Sequence, residues 1–199
     1  WAMCGAFWRF YDMTRPAHEQ RLFEIIKARS FATGDFTLAS GKKSNLYFNT
    51  KPTMMVAEGS HLCARAFFDR LVAENIDYIG GLEMGAVPLA AATAAYSFTQ
   101  NKPINAFFVR KKAKDYGAKQ LVEGLAPGES LKGKRVAIAE DVTTTGGSAL
   151  QAIEAARADG AQVDLLISIL DREEGAVDLL KQHNVRLVSV FKASDFVAK

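Results

Sequence analysis

Between Glu140 and Ser148 the chain reads EDVTTTGGS, two adjacent carboxylates followed by threonines and glycines. A Thr/Gly turn that opens a helix aims several backbone N–H groups at one point, and the helix end adds partial positive charge. Thr143, Thr144, Thr145 and Ser148 supply hydroxyl donors around Gly146 and Gly147. Such a loop suits a phosphate monoester, although it has neither the GK[ST] of a Walker loop nor a GxGxxG fingerprint. Glu140 and Asp141 have the wrong sign for phosphate. A carboxylate accepts hydrogen bonds without donating, so it pairs with vicinal sugar hydroxyls, which donate. The stretch therefore predicts a ribose 5-phosphate, its phosphate in the turn and its 2- and 3-hydroxyls on Glu140 and Asp141. Fixed anions there also stabilise an oxocarbenium-like state at the anomeric carbon. The plainer reading is an Asp N-cap with an acidic neighbour.

Two other charged groups follow apolar runs. Arg110, Lys111, Lys112 and Lys114 come directly after Ala106 to Val109. Such a cluster is either a solvated loop or a cationic grip on a polyanion, with Gly117 and Gly124 permitting closure. Arg172 follows Val163 to Leu170 and Asp171. Its guanidinium can hold a ligand carboxylate in a fork, or it can pair with Asp171, Glu173 or Glu174. His18, His61 and His183 share no metal-ligand spacing.

The elements that must position these groups follow from periodicity. Ala17 to Phe31 reads as an amphipathic helix ending near Thr33-Gly34, and residues 36–50 as two extended pieces joined by the Ser40-Gly41-Lys42 turn. Glu58 to Asn75 reads as a second helix. Then come a strand at Tyr78 to Leu82, a helix from Val87, a strand at Ala106 to Val109, and a long polar interval from Lys111 to Lys134. The strand Arg135 to Ala139 precedes the EDVTTTGGS loop and a helix from Ser148 to Asp159. The run Val163 to Leu170, the helix Gly175 to His183 and the run Val185 to Phe191 complete the series. This alternation predicts an α/β fold with a mainly parallel sheet flanked by helices, in which ligands bind at the carboxyl ends of strands.

Composition limits the alternatives. With 199 residues and 49% hydrophobic content the chain suits one domain, expected over residues 17–199, after an extension or cloning remnant at 1–16 with Met13 as a candidate natural start. The net charge of +3 gives no argument for nucleic acid as a partner. Cys4 and Cys63 form no disulfide framework or CxxC pair, which favours a reducing compartment, with Cys63 read as core. The aromatic N-terminus lacks the layout of a signal peptide, and the apolar stretch Val87 to Phe98 is too short to span a bilayer. The expectation is a soluble cytoplasmic protein without a membrane partner.

VAIAEDVTTTGGSA resembles the phosphoribosyl-pyrophosphate signature of the type I phosphoribosyltransferases. FFVRKKAKDYGAKQLVEG at 107–124 is similar to the mobile catalytic loop of the orotate phosphoribosyltransferases, and LDREEG at 170–175 to their orotate-site segment. With FTLASGKKSNLYF, the resemblance extends over most of residues 17–192. It implies the type I phosphoribosyltransferase fold with a small N-terminal hood at about 17–50 and a mobile loop at about 110–125. It implies transfer of ribose 5-phosphate from phosphoribosyl pyrophosphate to orotate, giving orotidine 5′-phosphate and pyrophosphate in pyrimidine biosynthesis. Arg110, Lys111, Lys114, Glu140, Asp141, Val142, Thr143, Thr144, Thr145, Gly146, Gly147 and Ser148 then bind the donor, and Thr144 and Arg172 bind orotate. Asp141 and Lys114 are the expected catalytic residues. Magnesium is expected to be held by substrate and water rather than by a protein cage, and a homodimer to share its loops between sites.

Tyr47 and Phe48 match an aromatic pair beside the pyrimidine in some relatives, although a strand core explains them equally. The chain departs from the family pattern at Ala39, where a lysine is common, leaving Lys42, Lys43 or Lys51 to compensate. It departs again in GGLEMGAVP at 80–88, which lacks the lysine of the relatives' pyrophosphate turn and leaves the amides around Met84 and Gly85 to serve. Tyr116 stands where histidine is common. The rival readings are a purine phosphoribosyltransferase, which would leave Arg172 without a ligand carboxylate, and a non-catalytic regulator of the same fold.

Overall fold

The computed structural model describes residues 15–37, 43–112 and 121–197. The first helix, α1 (Ala17–Arg29), ends before Phe31, and the strand β1 (Phe31–Thr37) pairs antiparallel with β2 (Lys43–Phe48). The sequence expectation of a helix through Phe31 is thus corrected. The Phe31 ring packs 5.0 Å from Phe48 and 5.5 Å from Phe196, contacts that an extended chain reaches, and the Thr33-Gly34 breaker sits at a register shift inside the hairpin. A short helix α2 (Lys51–Met54) then leads to α3 (Ala57–Leu71).

The central sheet contains β3 (Tyr78–Gly80), β4 (Asn105–Ala106), β7 (Arg135–Thr143), β8 (Gln162–Asp171) and β9 (Arg186–Lys192), in the order β4-β3-β7-β8-β9 with every pairing parallel. The crossovers carry α4 (Ala86–Thr99), α5 (Gly147–Ala158) and α6 (Ala176–Gln182). A 3-10 turn at Ala193–Phe196 follows β9. Both faces of the sheet are covered, so its middle strands are apolar on both sides. In β7, Ala137 and Ala139 face a core with Ile26, Cys63, Phe67 and Leu89. Val136 and Ile138 face the opposite core with Ala152, Ile153, Leu166 and Leu180. Burial pushes the Cys63 thiol up to about 12, so it acts as an apolar core group.

Two further expectations are corrected. Ala106 to Val109 is divided: Asn105–Ala106 pairs with β3, and β5 (Phe108–Val109) pairs antiparallel with β6 (Val122–Glu123) while Val109 keeps a parallel bridge to Leu82. Phe107 lies between the two pieces, its N–H donating to Ile79 O at 3.1 Å, and its ring and carbonyl stand 2.5 Å from where a Cβ on Gly80 would lie. The polar interval after Lys111 is not uniformly loop. Its second half is held by the Tyr78 hydroxyl donating to Glu129, by Ala126 N–H to Glu129 at 2.8 Å and by Leu131 N–H to Asp159 at 2.7 Å. Among the described residues, no helix is long and apolar enough to cross a membrane.

Candidate active site

Parallel strands that all point one way bring their carboxyl ends to one edge, and β7 and β8 deliver the chemistry there. The sequence expectation ended β7 at Ala139, but pairing continues through Glu140–Ser168, Val142–Leu170 and Thr143–Asp171. Glu140 and Asp141 are therefore strand residues. The extra pairing is closed by Arg172 N–H donating to the Thr143 carbonyl at 2.8 Å.

As strand residues the two carboxylates have different partners. Asp141 lies on the side of α2, where its Oδ2 accepts from the Thr50 hydroxyl at 3.0 Å and stands 3.6 Å from Lys51 Nζ. Its Oδ1 occupies space beside Gly85, since a Cβ there would come within 2.4 Å. Glu140 accepts from the Thr143 hydroxyl at 3.3 Å. Burial, reinforced by the neighbouring Asp141 charge, raises the Glu140 carboxyl to about 7, with the Thr143 bond opposing.

Thr143 is buried, and its hydroxyl points to Glu140 rather than to an external ligand. Val142 packs against the core. The outward hydroxyls of the stretch are those of Thr144, Thr145 and Ser148, all at least partly exposed. Gly146 precedes α5 at φ 88°, the left-handed region, with Ala176 and Leu179 close beside it. The loop expected from Glu140 to Ser148 is thus a shorter turn, Thr144 to Gly146, at the start of a twelve-residue helix.

A second turn closes in from residues 81–85. A Cβ on Gly81 would lie 2.3 Å from the Ala139 carbonyl, so this backbone runs directly against β7. Val109 N–H donates to Gly81 O and Glu83 N–H to Val109 O, each at 2.8 Å, and the Glu83–Met84 peptide is cis. Glu83 Oε1 accepts from Lys111 N–H at 2.9 Å. The Glu83 amide is thereby engaged with β5, leaving Met84 and Gly85 as the amides on which the sequence expectation rests.

The described basic residues Arg110 to Lys112 follow β5 directly. Arg110 N–H donates to Leu121 O at 2.9 Å, while its guanidinium lies 3.5 Å from Glu123 and donates to Lys112 O at 3.2 Å. Arg110 thus braces the loop base, and Lys111 and Lys112 are exposed. Lys114, Tyr116 and Gly117 lie outside the described residues, as do Ala39 and Lys42.

Arg172 leaves the end of β8 and crosses to the hairpin. Its Nε donates to Glu174 at 2.8 Å, its Nη2 donates to Ser44 Oγ at 3.1 Å and to Leu46 O at 3.4 Å, and its guanidinium carbon is 6.0 Å from the Phe48 ring. The side chain is only 7% exposed, so it is braced rather than loose. Strand alternation also separates Tyr47 from Phe48: Phe48 is buried, and Tyr47 stacks on Phe36 with ring centres 5.1 Å apart.

Sequence reasoning missed Thr50 as a partner of Asp141, Glu83 as the anchor of Lys111, and Ser44 as the brace of Arg172. The partners of each pair are far apart in sequence. The available signal for Thr50 was a threonine just before Lys51-Pro52, which reads locally as a helix cap.

Comparison with known proteins places this edge in context. Residues 52–192 match the phosphoribosyl transferase domain. The chain is 55% identical over 185 residues to an orotate phosphoribosyltransferase of Bradyrhizobium diazoefficiens, covering 93% of this chain and 99% of that protein. It is 54% identical over the same length to one of Rhodopseudomonas palustris, with the same coverage. Among solved structures, Mycobacterium tuberculosis orotate phosphoribosyltransferase in complex with Fe(III) dicitrate is 31% identical, with a TM-score of 0.78 over 92% of this chain and 100% of that one. The same enzyme in complex with 5-phospho-alpha-D-ribosyl 1-diphosphate is 26% identical, with a TM-score of 0.73 over 93% and 95%.

Proposed function

The chain belongs to the orotate phosphoribosyltransferases, and from that premise we propose how its residues divide the work. The reaction moves ribose 5-phosphate from phosphoribosyl pyrophosphate to orotate, making orotidine 5′-phosphate and pyrophosphate, a pentosyl transfer of pyrimidine biosynthesis. The relatives' identity over nearly the whole chain carries the activity. The division of labour rests on one observation: the Thr/Gly turn, both carboxylates and Arg172 converge at the carboxyl ends of β7 and β8.

In this reading the turn from Thr144 to Ser148, with Gly146 and Gly147, takes the 5-phosphate on backbone amides and hydroxyls. Thr143 acts indirectly, by orienting Glu140, and Val142 contributes through the strand backbone. Asp141 accepts from a ribose hydroxyl and stands near the carbon that becomes positive as pyrophosphate leaves. Glu140, ionised, accepts from the other hydroxyl. Arg172, its orientation fixed by Glu174, Ser44 and Leu46, meets the orotate carboxylate with its guanidinium, and Thr144 lies between the two substrates. Lys111, together with Lys114 outside the described residues, neutralises pyrophosphate, while Arg110 holds the loop base. Closure of residues 110–125 excludes water from the ribosyl carbon. No covalent protein intermediate is required, since positioning and charge suffice.

Magnesium fits this donor set as a companion of the substrate. Among the described residues no group of three or more His, Cys, Asp or Glu could hold a metal ion, whereas Asp141 offers a hard oxygen donor at the strand end. When bound, the ion neutralises charge on the diphosphate. Residues 17–199 form the catalytic unit in this proposal, with the β1–β2 hairpin as the hood. The enzyme works in the cytoplasm as a homodimer whose loops complete neighbouring sites.

The test is turnover with phosphoribosyl pyrophosphate, magnesium and each nucleobase in turn. Orotate should react and adenine, guanine and xanthine should not. Turnover of a purine without orotate would overturn the reading.

A further inference from the structure

Thr50 occupies the residue before α2, a position where threonine ordinarily turns its hydroxyl back onto the helix's own amides. No such capping bond forms here. The side chain is fully buried, and its hydroxyl donates instead to Asp141 Oδ2, 91 residues away, at 3.0 Å. The backbone at this point is fixed from both sides. The Thr50 carbonyl accepts from Thr53 N–H at 3.0 Å and Met54 N–H at 2.9 Å, and Asn49 N–H donates to Ser30 O at 2.9 Å. Three residues on, the buried Thr53 hydroxyl is 2.7 Å from Ser30 Oγ. Lys51 reaches the same Asp141 oxygen at 3.6 Å, and its side chain is 59% exposed.

One oxygen of Asp141 is thus held by Thr50 and Lys51, while the other lies beside Gly85. A threonine whose hydroxyl forgoes the nearest amides for a distant carboxylate is placed for that carboxylate. We propose that Thr50 is a positioning residue for the transfer reaction: it fixes the Asp141 rotamer and so ties the rigid β2–α2 junction to the ribosyl site. Lys51 is the exposed counter-ion that balances Asp141 while donor is absent. The inference rests on the assignment of Asp141 to the sugar of phosphoribosyl pyrophosphate.

Calorimetric titration with phosphoribosyl pyrophosphate and magnesium, in the absence of orotate, tests it through a double-mutant cycle. Thr50→Val keeps the shape and removes the donor, and should weaken donor binding by about ten- to a hundredfold, the loss of a hydrogen bond to a charged acceptor. Thr50→Ser should restore binding to within about threefold of the parent, because the donor returns. Lys51→Met should cost about fivefold or less, as expected for an exposed pair. In an Asp141→Asn background Thr50→Val should add little, because the group it positions has lost its charge. Independent, multiplying effects of Thr50→Val and Asp141→Asn would overturn the proposal, as would failure of Thr50→Ser to recover in a protein with parental melting temperature. If Asp141→Asn alone binds the donor like the parent, the assignment of Asp141 itself fails, a separate outcome from failure of the coupling.

Discussion

Arg172 Nε donates to Glu174 at 2.8 Å, and the same guanidinium reaches Ser44 on the hairpin at 3.1 Å. A nearly buried guanidinium held at Nε by Glu174 and at Nη2 by Ser44 and Leu46 has a fixed orientation, as recognition of a planar carboxylate requires. Arg172→Lys keeps the charge and loses the fork. The expected outcome is a rise in KM for orotate of about ten- to a hundredfold, with KM for phosphoribosyl pyrophosphate changed far less. Steady-state kinetics with each substrate varied checks this.

Glu140 supplies a pH prediction. Its carboxyl is raised to about 7 in the ligand-free protein, chiefly by burial. Below that pH the folded protein holds a proton on a group that must accept from a ribose hydroxyl, so kcat/KM for phosphoribosyl pyrophosphate should fall as pH drops from about 8 to about 6. In Glu140→Gln that limb should disappear.

The same group affects stability with the opposite sign. A raised carboxyl pKa means that the folded state binds more protons than the unfolded state between the ordinary carboxylate range and about 7, so stability falls as pH rises through that window. Replacing Glu140 by Gln removes a penalty of roughly 3 kcal/mol at pH 8 and almost none at pH 4.5. Melting temperatures of parent and variant should diverge with rising pH, the variant being the more stable.

Gly85 is a steric prediction. A methyl there would stand 2.4 Å from Asp141 Oδ1 and 2.8 Å from its Cγ. Gly85→Ala should push the carboxylate off its position and lower kcat/KM for phosphoribosyl pyrophosphate by at least about tenfold, as sub-ångström misplacement of such groups does. Far-UV circular dichroism should be unchanged. Parental kinetics in this variant would show that Asp141 has no fixed role.

The βαβ rhythm of this chain was legible because β8 is a mostly apolar run, buried from Leu165 to Asp171, and α3 carries Leu62, Cys63, Phe67 and Leu71 on its buried side. What escaped sequence reasoning was set by distant partners. Phe31 belongs to a strand because Phe48 and Phe196 lie across from it, and Phe108–Val109 forms a second ribbon because Val122–Glu123 pairs with it. Glu140 and Asp141 looked like loop residues because EDVTTTG has no apolar alternation to mark a strand, yet β8 supplies ladder partners as far as Thr143. The residue types of the site were visible locally. The bond of Thr143 to Glu140, and the holding of Asp141 by Thr50, required the strand boundary and the packing of α2.

The role of Asp141 is the central claim, and turnover of Asp141→Asn with saturating orotate and phosphoribosyl pyrophosphate tests it most directly. The substitution keeps the volume and the acceptor oxygen while removing the charge that faces the developing cation. The expected result is a fall in kcat of about a hundredfold, comparable to the loss of one preorganised electrostatic group in other active sites, with KM for orotate within about threefold of the parent. A parental kcat would contradict the account.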